Sequence, residues 1–340
     1  MCAYTILPVG LEKADRVEIT SIVDNYTDSL LASSEVKSDM VTRASHRREG
    51  GAQAEALLAE HGLSLLVKLF TNTQEHAVLF DGGRTKVTIR HNLRALNIDL
   101  TGLEAIILSH GHADHYGGLR EVTNHLHRSG VPLIAHPDAF LNRYSEQSNG
   151  TVVKRGRLLE RPLEKAGVQV VKCKSPYLLA SNLLASTGEV ERLTDFETVS
   201  AGRYIERDGK LDPDFIRDDQ SLIINLKERG LVVISGCAHS GIINTIRCAV
   251  KIAQTDRVYA VLGGFHLTGQ QVEAQTERTV KALSEIDPAV VVPMHCTSWK
   301  AMLRIHQAMP HAFVLNSVGT RFSLGSNTHI SDTGHLPSSR

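Results

Sequence analysis

The sequence lacks the features that mark membrane, secreted and nucleic-acid-binding proteins. Nowhere in its 340 residues is there a continuous apolar run of the roughly 18 residues that a membrane span needs. Lysine plus arginine and aspartate plus glutamate both total 37, so no global positive charge attracts nucleic acid or anionic lipid. The N-terminus shows no export signal, and five scattered cysteines without a C-x-x-C pair suit a reducing compartment. We therefore expect a cytoplasmic protein that binds neither nucleic acid nor membrane.

The hydrophobic pattern predicts a layered α/β fold in which helices cover the sheets. Short apolar runs of the strand type alternate with helical stretches along most of the chain. Strands are predicted at Val17–Val23, Ser64–Phe70, Ala77–Phe80, Ala105–Leu108, Leu133–Ala135, Ser221–Leu226, Leu231–Ser235, Val258–Leu262 and Ala289–Pro293. Helices are predicted at Val87–Leu96 and near residues 241–253 and 271–286, with a short helix from Pro137.

We predict one domain over residues 1–326, because no low-complexity linker divides the chain. Residues 35–55 are charged and contain serine and glycine, and we interpret them as an insertion. Residues 142–217 are more polar and are predicted to be less regular, whereas residues 327–340 are predicted to form a disordered tail.

Histidine is abundant, with 17 residues, and a short loop concentrates four side chains that can bind metal. His110, His112, Asp114 and His115 directly follow the predicted strand Ala105–Leu108. Because alternate residues of an extended loop point the same way, His110 and His112 can bind one ion. Asp114 and His115, at the start of the next predicted helix, can turn toward a second ion. Each ion needs roughly three or four protein ligands, so others must come from elsewhere in the chain.

Three further histidines follow apolar strands and can complete the site. They are His239 after Leu231–Ser235, His266 after Val258–Leu262 and His295 after Ala289–Pro293. Since neighbouring strand ends converge at one edge of an α/β sheet, these loops can meet over one crevice. We predict His239 and His295 as metal ligands, and His266 as a residue that contacts the substrate or supports a ligand.

The segment Ser109–Gly118, S-H-G-H-A-D-H-Y-G-G, resembles the H-x-H-x-D-H signature of the metallo-β-lactamase superfamily. The resemblance covers most of residues 17–322 and implies an αββα sandwich with a binuclear metal site at the edge of both sheets. The phrases V-D-N-Y at residues 23–26, E-H-G-L-S at 60–64, S-G-C-A-H-S-G at 235–241, G-G-F-H-L at 263–267 and H-C-T at 295–297 look like one subgroup. It is named for dihydropterin-ribofuranosyl-aminobenzene-phosphate synthase.

The resemblance implies that Asp81 holds a ligand histidine in the right tautomer and orientation, although a capping or turn role is open for a residue at a strand end. Asp219 can serve similarly or simply end a loop. Cys237 stands where most hydrolases of the superfamily have a metal-bridging aspartate. It can ligate as a thiolate or pack as a small apolar residue. Ser298 stands where the subgroup usually has glycine, which can narrow the pocket.

These residues predict a hydrolase that activates water with two divalent ions, zinc first and manganese or iron as alternatives. The expected substrate is small and anionic, either phosphorylated or pterin-like. Asp114 is predicted as both ligand and proton shuttle, and His266 as the residue that stabilises charge on the substrate. A synthase that forms a C–N bond, a di-iron redox protein and a non-catalytic metal-dependent binding protein are the alternatives. The sequence leaves both a monomer and a homo-oligomer open.

Overall fold

The computed structural model describes residues 7–45, 54–126, 128–199, 201–269 and 273–325. Its strands are β1 (Lys13–Ala14), β2 (Arg16–Val23), β3 (Ser34–Val36), β4 (Asp39–Thr42), β5 (Ser64–Phe70), β6 (Glu75–Phe80), β7 (Ala105–Ile107), β8 (Val131–Ala135), β9 (Arg143–Glu146), β10 (Val152–Lys154), β11 (Val168–Lys172), β12 (Tyr177–Leu179), β13 (Leu184–Ser186), β14 (Arg203–Arg207), β15 (Lys210–Pro213), β16 (Ser221–Leu226), β17 (Gly230–Ser235), β18 (Val258–Gly264), β19 (Val290–Met294) and β20 (Arg321–Gly325). Its helices are α1 (Lys86–Ala95), α2 (Ala113–Tyr116), α3 (Leu119–Thr123), α4 (Glu160–Lys165), α5 (Ile242–Ala253), α6 (Glu273–Ile286) and α7 (Trp299–Ala308), with a 3-10 turn at Pro137–Phe140. The strands and helices predicted from the hydrophobic pattern are confirmed, and their ends shift by one or two residues.

Two large sheets face each other and enclose the main hydrophobic core. The first sheet has the strand order β11-β8-β7-β6-β5-β2-β20-β4-β3. The second has the order β12-β13-β16-β17-β18-β19, with β1 beside β16. Ile19 and Phe80 of the first sheet and Ile234 of the second belong to one buried cluster between the sheets. Strands such as β17 are apolar along their whole length because helices cover the outer face.

Helices form the two outer layers. Ile89 of α1 and Leu163 of α4 pack on the outer face of the first sheet. Ile246 of α5, Leu283 of α6 and Ile305 of α7 pack on the outer face of the second. The order of layers is helix, sheet, sheet, helix, so the predicted αββα sandwich is confirmed.

Residues 142–217 are more regular than the sequence predicted. Strands β9, β10, β14 and β15 form a small antiparallel sheet in the order β10-β9-β14-β15. These strands are short, and β10 and β15 are exposed along their whole length, so they lack the apolar alternation from which strands are predicted. Of the predicted insertion at 35–55, β3 and β4 extend the first sheet. Residues 46–53 and the predicted tail at 327–340 lie outside the described residues.

The parallel strands bring several loops to one edge of the sandwich. In the first sheet β6 and β7 run parallel, and in the second β17, β18 and β19 run parallel. Their carboxyl ends carry Asp81, the histidine loop, Cys237, His266 and His295. None of the described helices is long and apolar enough to span a membrane.

Candidate metal centre

The histidine loop leaves β7 and enters α2, and His112 is the capping residue of that helix. Nε2 of His110 lies 2.8 Å from Nδ1 of His112 and 3.2 Å from Nε2 of His239. Burial lowers the pKa of all three imidazoles well below the usual value, so they are neutral near neutral pH. Neutral imidazoles with converging nitrogens are the form that binds metal. We call these three residues the first ligand group.

Asp114, His115 and His295 form the second ligand group. Oδ2 of Asp114 lies 3.4 Å from Nε2 of His295 and 3.9 Å from Nε2 of His115, and both imidazoles are fully buried. Cys237 lies between the two groups. Its Sγ lies 3.2 Å from Nε2 of His115. The donor atoms of Cys237, His115 and His110 all lie within 4.8 Å of one another. The structure therefore brings together all seven side chains that the sequence predicted as metal ligands.

Asp81 fixes the orientation of His115. It follows β6 in a left-handed backbone conformation, with φ of 61°, and is fully buried. Its carboxylate accepts hydrogen bonds from the backbone N–H of Ser109 at 2.7 Å and from Nδ1 of His115 at 2.6 Å. Burial alone would lower the pKa of His115, but the carboxylate of Asp81 raises it to about 9. Because Nδ1 donates to Asp81, Nε2 of His115 faces the ligand group.

Two residues that the sequence analysis did not assign hold His295. Asp24 accepts a hydrogen bond from the backbone N–H of His295 at 2.8 Å. Asn25 donates to the carbonyl of His295 at 2.8 Å, and its Oδ1 lies 3.3 Å from Nδ1 of the ring. The other nitrogen, Nε2, is buried without a hydrogen-bond partner and points at Asp114. Asp24 and Asn25 directly follow β2, and the sequence marked them only through the V-D-N-Y phrase at residues 23–26, without a role.

Two buried carboxylates support the loops of the first ligand group. Asp218 accepts a hydrogen bond from the backbone N–H of Gly111 at 2.7 Å and from Arg143 at 2.6 Å. Asp219 accepts from the backbone N–H of Ser240 at 2.8 Å, next to His239, and burial raises its pKa to about 6. The structure thus gives Asp219 a supporting contact, which the sequence had left open.

His266 and Cys296 lie beside the ligand groups. The ring centroid of His266 is 4.0 Å from that of His239, and its Nδ1 is buried without a hydrogen-bond partner. Its φ of 48° is in the left-handed region, where a residue other than glycine is strained, and such strain is concentrated at functional sites. The thiol of Cys296 donates to the carbonyl of Cys237 at 3.4 Å. Cys296 was not predicted as a site residue, although it follows His295 directly.

His61 is a further site residue that the sequence analysis missed. Its Nε2 lies 3.3 Å from Oδ2 of Asp114, and its ring stacks on His295 with 4.7 Å between centroids. It precedes strand β5 rather than following a strand, so its position in the sequence did not indicate a role in the metal centre. It was visible only within the E-H-G-L-S phrase.

The donor atoms fit divalent transition-metal ions. Ring nitrogens of the first group approach within 2.8 Å and 3.2 Å, and the second group holds a buried nitrogen of His295 without a partner. A cation between such atoms would satisfy their lone pairs. Imidazole with carboxylate suits zinc, manganese and iron, and a thiolate of Cys237 would favour zinc or iron.

A cavity of about 790 Å³ opens over both ligand groups. His112, Asp114 and His239 lie on one side, and Tyr144 and Arg203 of the small antiparallel sheet lie on the other. The volume is that of a site for a small molecule. Ser298, which the sequence placed near the pocket, is absent from the described residues that line this cavity, and it caps α7 instead.

Comparisons with known proteins identify the family of the chain. Residues 59–176 match the model of the metallo-beta-lactamase superfamily. The chain is 32% identical over 253 residues to 7,8-dihydropterin-6-methyl-4-(beta-D-ribofuranosyl)-aminobenzene-5'-phosphate synthase of Methanocaldococcus jannaschii, covering 72% of this chain and 83% of that protein. It is 34% identical over 261 residues to an uncharacterised protein of the same organism, covering 77% and 92%.

A solved structure shares the fold. Tm1679, described as a metal-dependent hydrolase of the beta-lactamase superfamily, aligns with a TM-score of 0.69 and 24% identity over 91% of this chain and all of that one. The sequence similarity to the synthase covers 72% of this chain and 83% of that protein. The side chains of the histidine loop and of the residues that follow the strands of the second sheet lie at one site. The chain therefore belongs to the metallo-beta-lactamase superfamily, in the group that includes the dihydropterin-ribofuranosyl-aminobenzene-phosphate synthase.

Proposed function

We propose that the protein is a metal-dependent hydrolase that activates water at a binuclear centre and acts on a small anionic substrate. The observation that carries the proposal is the pair of ligand groups, joined by Cys237, at the floor of one cavity. Divalent ions bound there, zinc in the first instance, would generate a nucleophile from water and polarise the bond to be broken.

The chain supplies a charged ligand and charge stabilisation around that centre. Asp114 is buried, which alone would raise its pKa, but the nearby imidazoles of His295 and His61 lower it far below the usual value. Its carboxylate is therefore ionised at neutral pH, the form that binds a divalent ion, and so low a pKa makes it a weak base toward water. His266 has a buried Nδ1 without a partner and lies beside His239, so it is placed to donate to a charged substrate oxygen.

The first test is the metal content of purified protein, measured by mass spectrometry without chelator or affinity metal. We expect about two ions per chain in the parent and a clear loss in His112→Ala, because each ion needs roughly three or four ligands. His306→Ala, an exposed histidine on α7, is the matched control and should keep both ions. No metal in folded protein, even after reconstitution, would refute the hydrolase. Iron as the resident metal would favour a redox protein.

A synthase that forms a C–N bond on the same site is the second candidate, favoured by the similarity to the dihydropterin-type synthase. The two reactions differ in the fate of water. Hydrolysis incorporates one oxygen atom from water into a product, whereas condensation does not. Turnover in ¹⁸O-labelled water, followed by mass spectrometry of the products, therefore distinguishes them. Label in a product supports the hydrolase, and an unlabelled product with a new C–N bond supports the synthase.

A further inference from the structure

Two buried cysteines meet although they follow strands that are not neighbours in the second sheet. Cys237 follows β17 and Cys296 follows β19, and β18 lies between these strands. Their Sγ atoms nevertheless lie within 4.8 Å of each other. Both residues line the cavity over the candidate metal centre, so a small solute in the cavity can reach both thiols.

The strand between the two cysteines leaves room for this contact. Gly264 ends β18, and a Cβ atom at its position would lie 2.7 Å from Sγ of Cys296 and 3.2 Å from Cα of Cys237. A larger residue would therefore stand between the two cysteines. Sγ of Cys296 accepts a hydrogen bond from the backbone N–H of His266 at 3.2 Å and donates one to the carbonyl of Cys237 at 3.4 Å. These bonds hold the thiol of Cys296 against the residue that carries the other thiol.

The distance that remains between the two sulfurs is small. A disulfide places its sulfurs about 2.05 Å apart. Rotation of two side chains with small shifts of the two loops can close the present separation, which is at most 4.8 Å. Two other described cysteines have different surroundings. Cys248 packs among apolar side chains on the outer face of the second sheet, and the half-buried Cys173 donates to the carbonyl of Ser175 at 3.2 Å.

We propose that Cys237 and Cys296 form a reversible disulfide when the metal-free protein meets hydrogen peroxide, and that this bond and metal binding exclude each other. One sulfur first attacks the peroxide. Its S–H bond and the O–O bond break, an S–OH bond forms and one water molecule leaves. The other sulfur then attacks the S–OH group. Its S–H bond and the S–O bond break, the S–S bond forms and a further water molecule leaves. The sulfurs are oxidised, and the peroxide oxygens are reduced to water.

The disulfide removes a candidate ligand from the metal centre. Sγ of Cys237 lies 3.2 Å from Nε2 of His115, and a cysteine binds a divalent ion as the thiolate. In the disulfide this sulfur carries no charge and is drawn toward Cys296. Conversely, a thiolate that is bound to zinc is not free to attack peroxide. The inference rests on the proposed function only in that Cys237 binds metal, and it does not depend on the reaction that the centre performs.

The test is oxidation of the full chain, reduced and freed of metal, with hydrogen peroxide. The remaining thiols are then alkylated, and tryptic peptides are analysed by mass spectrometry without reduction. Trypsin cuts the chain so that Cys237, Cys248 and Cys296 fall on separate peptides. We expect the peptides of Cys237 and Cys296 to be joined after oxidation, and a phosphine reductant to separate them again.

Variants and zinc show what the bond depends on. Cys296→Ser, which is close in size, should give no joined peptide. Cys248→Ala removes a buried thiol outside the cavity, so it is the matched control and should behave like the parent. Zinc added before the peroxide should slow the joining by about tenfold when its free concentration is about ten times Kd. Competition against a chromophoric chelator should show that the oxidised parent binds zinc about tenfold or more weakly, and that reduction restores the Kd. Circular dichroism establishes that each form is folded.

Two results would overturn the inference. The first is recovery of Cys237 and Cys296 as free thiols or as separate sulfinic acids, in peroxide sufficient to oxidise the half-buried Cys173. The sulfurs would then not reach each other. The second is an oxidised, joined protein that binds zinc with the Kd of the reduced parent, because the bond would then not exclude the metal. Neither result bears on the metal content of the reduced protein or on the ¹⁸O experiment, so the proposed hydrolase would stand or fall separately.

Discussion

At the scale of single residues, hydrogen bonds to Nδ1 of two histidines leave Nε2 of each ring facing the candidate metal centre. A neutral imidazole has one donor and one acceptor nitrogen, so binding the donor to a partner directs the acceptor inward. Asp81 does this for His115 at 2.6 Å, and Asn25 is placed to do it for His295 at 3.3 Å. Both partners lie just beyond a strand, yet only the resemblance to a known family distinguished Asp81 from an ordinary turn residue.

We predict that Asp81→Asn lowers the affinity for zinc by about 10- to 100-fold, the usual cost of removing a carboxylate behind a ligand histidine. The amide is close in shape but carries no charge, so it polarises the imidazole of His115 less. Competition against a chromophoric chelator measures the Kd. Asp195→Asn, which changes an exposed carboxylate paired with Arg278, should leave the Kd unchanged. An unaltered Kd in Asp81→Asn would show that Asp81 only shapes the turn.

The pH dependence of zinc binding follows from His115. Asp81 raises the pKa of this imidazole to about 9, against the effect of burial, so it is protonated in the metal-free protein at neutral pH. Since the metal needs the deprotonated ring, affinity should rise as pH increases toward about 9, by about tenfold per pH unit for the His115 proton alone. His110, His112 and His239 are already neutral and release no proton.

Calorimetry in buffers of different ionisation enthalpy counts the released protons directly. We expect about one proton from His115, and about two if the thiol of Cys237, whose pKa burial raises, also becomes a ligand. The count therefore decides between the two roles that the sequence left open for Cys237. Zinc binding without proton release would contradict the protonated state of His115.

At the scale of secondary structure, strand ends predicted much of the site but not all of it. His239, His266 and His295 each follow a strand whose long apolar run is readable because both faces of its sheet are buried. His61 precedes its strand and so escaped this reasoning. His136 also follows an apolar strand, yet it binds a glutamate at 3.0 Å and caps the 3-10 turn. Position at a strand end thus indicates candidates, and the three-dimensional packing of the loops selects among them.

Helix α5 offers a test of how a distant segment fixes an element next to the site. Glu197 accepts hydrogen bonds from the backbone N–H groups of Ile243 at 2.8 Å and Asn244 at 2.9 Å, in the first turn of the helix. We predict that Glu197→Ala lowers the free energy of unfolding by about 0.5–2 kcal/mol, the usual range for a lost helix cap. Urea denaturation measures it. Glu191→Ala, which removes an exposed ion pair with Lys251, should cost about 0–1 kcal/mol.

The cost of Glu197→Ala should also depend on pH. Burial raises the pKa of Glu197 above its unfolded value, so the folded state binds a proton more readily than the unfolded state. The parent therefore gains stability as pH falls through the folded pKa toward the unfolded pKa, and the variant lacks this gain. We expect a larger difference near pH 5 than near neutral pH. A difference that shrinks on acidification would contradict the direction of the pKa shift.

At the scale of the whole molecule, the metal centre joins the two sheets. His110 and His112 of the first ligand group come from the first sheet, and His239 comes from the second. In the second group, Asp114 comes from the first sheet and His295 from the second. The sequence predicted that these loops meet at one edge, but no local pattern shows which residue of one sheet lies beside which residue of the other. Ions bound by both ligand groups would therefore cross-link the sheets of the sandwich.

Removal of the metal should consequently destabilise the whole fold rather than one loop. Each ion that binds the folded chain and not the unfolded one stabilises it by about 3–4 kcal/mol when its free concentration is about 100 to 1,000 times Kd. We predict that dialysis against a chelator lowers Tm in a single cooperative transition and that zinc restores it, with Tm rising roughly as the logarithm of the free zinc concentration above Kd. His112→Ala should start from a lower Tm and respond less to zinc, because one ligand group is incomplete, whereas His306→Ala should behave like the parent. If the chelator leaves Tm unchanged in protein shown to have lost its metal, the two sheets are held by their hydrophobic core alone.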